Sequence, residues 1–277
     1  MSANSLARRI IKKVIYPMMS EERYAYFVAF SKAWDIRTGN YPEVELDLIP
    51  LAVHAGDRVL DIGANFGYYS YPLSRAAGST GHVYAFEPVP FTFRTLQIVA
   101  HLLRLRNVEI VPKGCGDRAG TITLDVPLQA NGAMSTGLAY ISDRKQDHAG
   151  KEAQIRWAAT RRVVAEVIRL DDFLPALDDL SFVKIDVEGA ELFTFRGGER
   201  TIERHHPTVL CEINPWYLEG FGASVDDLAS FFLTKGYDLY RYDDGKLIST
   251  PASAVVERNY VFVHPSRADR LRSVIGG

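Results

Sequence analysis

Arg58-Val-Leu-Asp-Ile-Gly-Ala-Asn-Phe-Gly67 is the stretch whose reading decides the fold. Val59, Leu60 and Ile62 form a short apolar run of the kind a buried parallel strand carries. Asp61 interrupts that run just before Gly63 and Gly67, and Tyr68 to Ala77 then reads as a helix. Strand, tight glycine turn and helix allow a ligand to press against backbone amides at a helix N-terminus. A second run, His82-Val-Tyr-Ala-Phe, ends in Glu87-Pro88. A carboxylate at the end of that strand sits where a ribose diol can be held by charge-assisted hydrogen bonds. The two features predict a nucleoside-binding βαβ unit.

The turn also bears on which nucleoside fits. Ala64 and Asn65 lie between Gly63 and Gly67, so the dinucleotide fingerprint G-x-G-x-x-G is missing. Asp61 points into the turn, where a carboxylate repels a pyrophosphate and attracts the ammonium of a methionine moiety. S-adenosylmethionine fits this better than NAD. The cofactor-binding candidates are Asp61, Gly63, Asn65, Gly67 and Glu87. Asp117, in the turn Gly114-Cys-Gly-Asp117, is either an acceptor for an adenine amino group or a polar turn residue.

The 277 residues suit one large domain with an added N-terminal piece, divided here into a helical extension over residues 1–50 and a main domain over 51–277. A hydrophobic fraction of 47% is enough for a sizeable core, and a net charge of −2 gives no electrostatic reason to expect nucleic acid as a partner. Cys115 and Cys211 provide neither a disulfide framework nor a four-ligand zinc site, and read as buried thiols. No run has the length of a membrane span and no signal-peptide pattern is visible, so the expected location is cytoplasmic.

Ser5 to Met18 sets Arg8, Arg9, Lys12 and Lys13 beside Leu6, Ile10, Ile11, Val14 and Ile15, a short basic amphipathic helix. Such segments bind acidic membrane surfaces or, more commonly, pack as a lid or dimer arm, which leaves a homo-oligomer open. Glu21 to Ala33 reads as a second helix, and Pro42 to His54 as another. Beyond Glu87 the chain alternates between helices (Pro90 to Arg104, Ser224 to Lys235) and strands (Val108 to Val111, Arg162 to Arg169, Phe182 to Val187, Pro207 to Pro215). Tyr237 to Tyr242 and Asn259 to Val263 close it. Gln129 to Thr160 is polar and irregular, a candidate for substrate recognition. His54 and His101 read as helix-face positions, and His205-His206 as a helix C-terminus.

This alternation predicts a doubly wound, mostly parallel α/β sheet with ligands beyond the carboxyl ends of its strands. Asp61, Glu87, Asp117, Asp186 and Glu212 all fall at such ends. Solubility alone does not explain that convergence.

Asp61-Ile-Gly-Ala-Asn-Phe-Gly, Phe86-Glu-Pro, Leu170-Asp-Asp-Phe and above all Val183-Lys-Ile-Asp-Val-Glu-Gly-Ala-Glu resemble the FkbM family of methyltransferases, from about Gly56 to Val263. The resemblance implies a class I methyltransferase sheet of seven strands with an antiparallel closing strand. It also implies S-adenosylmethionine-dependent O-methylation of a sugar or secondary metabolite, with a small-molecule or glycan acceptor. Asn131 to Ser135 is similar to the family's variable substrate-side loop.

Methyl transfer is an in-line displacement, so positioning dominates and an alcohol acceptor needs help losing its proton. Lys184 and Asp186 fall on one face of a strand and are the base candidates, with a salt-bridging role for Lys184 equally open. Glu212 completes the catalytic set. Asp186, Glu212 and Asn214 together offer oxygen ligands that suit Mg²⁺. Two other function classes are an NAD-dependent oxidoreductase and a non-catalytic cofactor-binding interaction module.

Overall fold

The structure, a computed structural model, describes residues 19–41, 43–128, 140–141, 159–173 and 179–276. The chain begins with helix α1 (Glu21–Arg37), a 3-10 helix (Val44–Leu48) and α2 (Ile49–Ala52). The nucleoside-type unit follows: β1 (Arg58–Ile62), α3 (Ser70–Ala77), β2 (His82–Phe86), α4 (Pro90–Leu103) and β3 (Val108–Val111). Next come β4 (Gly114–Cys115), β5 (Gly120–Leu128), β6 (Tyr140–Ile141), β7 (Ala159–Ile168) and α5 (Leu170–Phe173). The second half holds β8 (Phe182–Ile185), α6 (Glu191–Gly197), α7 (Glu199–His205), β9 (Thr208–Ile213), α8 (Pro215–Gly220) and α9 (Val225–Leu233). Strands β10 (Asp238–Asp243), β11 (Lys246–Ser249) and β12 (Arg258–Val263) end it.

The main sheet has the order β11-β10-β12-β9-β8-β1-β2-β3. β1 pairs in parallel with β2 on one side and with β8 on the other, so the strand order reverses beside it. Helices cover both faces there, which is why Val59, Leu60 and Ile62 are no more than 1% exposed. The sheet carries eight strands, one more than expected. Asp244 and Gly245 both take positive φ, a two-residue hairpin turn that adds β11 at the edge. β12 returns between β9 and β10 and is antiparallel to both.

Strands β5 and β7, with no described helix between them, leave the main sheet. They pair antiparallel in a second, four-stranded sheet of order β4-β7-β5-β6. The helix expected from Pro42 to His54 is broken into the 3-10 helix and α2. Pro50 lacks an amide proton and fits only the first turn of an α-helix, so α2 begins at Ile49. The helix expected over Ser224 to Lys235 forms as α9, where Ser224 and Asp227 make a reciprocal capping box. His206 caps α7 in the left-handed region.

α1 lies on α4. Ala25, Ala29 and Ala33 face inward, and Tyr24 stacks on Phe91 at 5.8 Å. The helix expected over Ser5 to Met18 lies outside the described residues, as does the polar stretch Gln129 to Thr160 apart from Tyr140, Ile141, Ala159 and Thr160.

Candidate active site

After β1 the chain turns through Gly63 (φ +80°), Asn65 (φ +48°) and Gly67 (φ +88°). The amides of Gly63 and Ala64 both donate to the Phe86 carbonyl at 3.0 and 2.9 Å, which fixes the turn against the end of β2. Gly63 is required for a second reason: a Cβ there would stand 1.8 Å from the Asp186 carbonyl oxygen. The loops after β1 and β8 are therefore in backbone contact.

Beside them lies a cavity of about 440 Å³ at the carboxyl ends of β1, β2 and β8. Of the residues singled out in the sequence, Gly63, Asn65, Glu87, Asp117 and Asp186 line it. Asp61, Gly67, Lys184 and Glu212 do not. Glu87 is held by its own backbone surroundings, accepting from the Asn65 amide at 3.0 Å and the Val89 amide at 2.9 Å. Burial pushes its carboxyl up to about 7 against those two hydrogen bonds. Asn65 Oδ1 is buried and has no hydrogen-bond partner among the described residues.

Asp61 does not point into the turn. Its carboxylate accepts from Ser70 Oγ at the start of α3 and is 2% exposed. Burial raises its pKa to about 6, opposed by Ser70 and by the charge of Lys184. The reason lies in the fold: α3 packs so that Ser70, its first residue, brings a hydroxyl donor to the buried carboxylate.

The segment Asp186-Val-Glu-Gly-Ala-Glu191 is a folded loop rather than a row of exposed acids. Glu191 is 2% exposed, and its Oε1 accepts from the Val187 and Gly189 amides at 3.3 and 3.1 Å. Glu188 and Gly189 take positive φ, and a Cβ on Gly189 would meet the Tyr217 carbonyl oxygen at 2.5 Å. Burial pushes Glu191 up to about 7. Asp186 itself is pinned through its amide, which donates to the Ile62 carbonyl at 3.0 Å.

Behind Asp186 lies a polar cluster away from the cavity wall. Lys184 is 2% exposed and donates to Asn259 Oδ1 at 3.0 Å and to the Ile185 carbonyl at 3.2 Å, with its ammonium 4.9 Å from the centre of the Tyr69 ring. Its charge opposes the upward shift at Asp61 and Glu212. Glu212 is pushed up to about 8 by burial, then by the charge of Asp186 and the hydrogen bond between them. The two carboxyl groups are thus in direct contact behind the cavity.

Sequence reasoning missed Glu43, Tyr41 and Tyr69. The hydroxyls of both tyrosines donate to Glu43, and the Tyr41 ring stacks on Tyr68 with centroids 3.9 Å apart. The charge of Glu43 adds to the upward push on Glu212, and that of Asp186 to the push on Tyr41. No local pattern marks Glu43: it follows Pro42 at the start of a segment that reads as an ordinary helix.

Asp186, Glu212 and Asn214 are not assembled as a cation site. Asn214 Oδ1 caps α8, accepting from the Trp216 amide at 3.1 Å and the Tyr217 amide at 3.4 Å. Among the described residues no group of three or more His, Cys, Asp or Glu is placed to hold a metal ion. The expected Mg²⁺ finds no ligand set here.

With this geometry in place, the family model for the methyltransferase FkbM domain matches residues 61–239. The chain is 30% identical over 146 residues to Methyltransferase 1 of Beauveria bassiana (strain ARSEF 2860), covering 50% of this chain and 57% of that protein. It is 28% identical over 200 residues to Methyltransferase sdnD of Sordaria araneosa, covering 66% of this chain and 74% of that protein. Among solved structures it is similar to methyltransferase FkbM from Methylobacillus flagellatus KT, at 18% identity and a TM-score of 0.47, covering 74% of this chain and 43% of that one. The match thus spans a little over half the length of Methyltransferase 1.

Proposed function

The chain belongs to the FkbM methyltransferase family, and on that premise we propose that it is an S-adenosylmethionine-dependent O-methyltransferase acting on a hydroxyl of a sugar or secondary metabolite. The observation that carries this reading is the cavity at the reversal of strand order, with Asn65 and Glu87 at one wall and Asp186 at another. The wall fits the cofactor. Asn65 Oδ1 is a buried acceptor in want of a donor, which an ammonium or hydroxyl supplies. Glu87, oriented by two amides, retains lone pairs for a ribose diol. Val89, Ile122 and Leu124 offer apolar surface to a base near Asp117. When bound, S-adenosylmethionine supplies an electrophilic methyl group.

Asp186 is the group that receives the acceptor's proton. An alcohol is far too weak an acid to ionise beforehand, so its proton leaves as the new C–O bond forms. Glu212 hydrogen-bonds to Asp186 and so orients it. Lys184 acts through its neighbours as a positioning residue, holding Asn259 and the end of β8.

Calorimetric titration with S-adenosylhomocysteine and, separately, NADH tests the cofactor. Binding of the former alone, weakened in Glu87→Ala, supports the reading. NADH binding instead would favour an oxidoreductase, and silence from both a non-catalytic module. With an acceptor found by screening hydroxyl compounds, Asp186→Ala should lower turnover about 10²- to 10⁴-fold while cofactor affinity stays within a few-fold. Unchanged turnover would remove Asp186 from the chemistry.

A further inference from the structure

α1 carries more apolar surface on its outside than covering α4 requires. Its inward face mixes Ala25, Ala29 and Ala33 with Tyr24, Val28 and Ile36. Three further aromatic side chains face out: Tyr26 is 56% exposed, Phe30 66% and Trp34 53%. These three are four residues apart, so at 3.6 residues per turn they form one stripe along the helix. Arg23 and Arg37, seven residues to either side of Phe30, fall on the same face and are exposed. An exposed aromatic residue standing singly needs no explanation, but a stripe of three bracketed by arginines does.

We infer that this face of α1 docks on an anionic lipid surface. Aromatic rings flanked by basic residues are the composition that settles at the boundary between lipid headgroups and acyl chains. The acids on the helix do not oppose it. Glu21 pairs with Arg161 at 2.6 Å and Glu22 with Arg94. The first twenty residues, which lead directly into α1, contain Arg8, Arg9, Lys12 and Lys13 and no Asp or Glu. No helix among the described residues is long and apolar enough to cross a membrane, so attachment would be peripheral.

The same charges disfavour a second copy as the occupant. Antiparallel pairing of two such stripes about Phe30 sets Arg23 against Arg37, and parallel pairing sets each arginine against itself. A lipid headgroup layer meets both ends of the stripe with opposite charge.

The test is flotation of the full chain with vesicles of phosphatidylcholine mixed with phosphatidylserine, and with phosphatidylcholine alone. The mixed vesicles should carry the protein, the neutral ones should not, and added salt should release it. Arg23→Ser and Arg37→Ser should each weaken binding about five-fold. Phe30→Ser should weaken it with the melting temperature unchanged, since the side chain is exposed. Failure to float with the mixed vesicles would overturn the inference. So would full binding by Phe30→Ser and the arginine variants, which would put the contact elsewhere in the chain. A concentration-dependent dimer broken by Phe30→Ser, without vesicle binding, would assign the face to a second copy instead.

Discussion

Gly63→Ala is the sharpest test of the site's construction. The substitution adds one methyl group, yet it meets backbone rather than a yielding side chain. The new Cβ would lie 1.8 Å from the Asp186 oxygen and 2.9 Å from the Asp186 carbonyl carbon. Real Cβ contacts essentially never fall below 3.0 Å, so one of the two loops must retreat by more than 1 Å. Neither can do so freely. Gly63 is tied to Phe86 through its amide, and Asp186 to Ile62 through its own. The positive φ costs about 1–2 kcal/mol for a residue with a Cβ, and overpacking of this kind about 1–3 kcal/mol. A loss of about 3 kcal/mol corresponds to a fall in melting temperature of about 6–12 °C for a chain of this size. Since the displaced atoms carry Asp186, turnover should fall by about a hundredfold even in the fraction that folds. Thermal denaturation reads the first effect, turnover with an acceptor found by screening reads the second, and calorimetry with S-adenosylhomocysteine reads whether the cofactor wall has shifted with them. A variant with wild-type melting temperature and wild-type affinity would refute the close approach of the two loops, and with it the placement of Asp186 in the cavity.

Lys184→Met removes the cation behind the site while roughly keeping its volume. It should cost about 1–3 kcal/mol of stability, because Asn259 Oδ1 loses its donor and Glu212 its nearby positive charge. A collapse in turnover with an unmoved melting temperature would instead make Lys184 a direct base. Glu191→Gln tests the buried carboxyl of the loop. Because the folded chain keeps a proton that the unfolded chain releases above its ordinary value of 4.5, Glu191 makes stability fall as pH rises to about 7. Glutamine keeps an oxygen for the Val187 and Gly189 amides and does not titrate. The variant should therefore gain on the wild type in urea denaturation as pH rises over that window. A stability difference that stays flat with pH would rule this out.

The sequence by itself determined the parts of this protein that depend on local chemistry. The apolar run Val59 to Ile62 is a strand because it is buried on both faces, and Gly63 and Gly67 mark a turn because both need positive φ. Glu87 falls at a strand end because β2 stops at Phe86. Hydrophobic period and turn geometry are properties of a few neighbouring residues, so they can be read without the fold.

Which way a polar side chain faces at a strand end is not such a property. It depends on which donor from another segment lies nearest, and that is decided only when the chain closes. Asp61 turned to Ser70 on α3, and Lys184 found Asn259 on the returning strand β12. Glu43 entered the cluster from a stretch with no motif, because packing brought Tyr69 and Tyr41 within reach of its two oxygens. The acids at the rim were legible one by one. Their separation into Glu87, Asp117 and Asp186 on the cavity wall, and Asp61 and Glu212 off it, was the work of tertiary structure. A buried carboxyl must satisfy its oxygens from whatever the fold places around it.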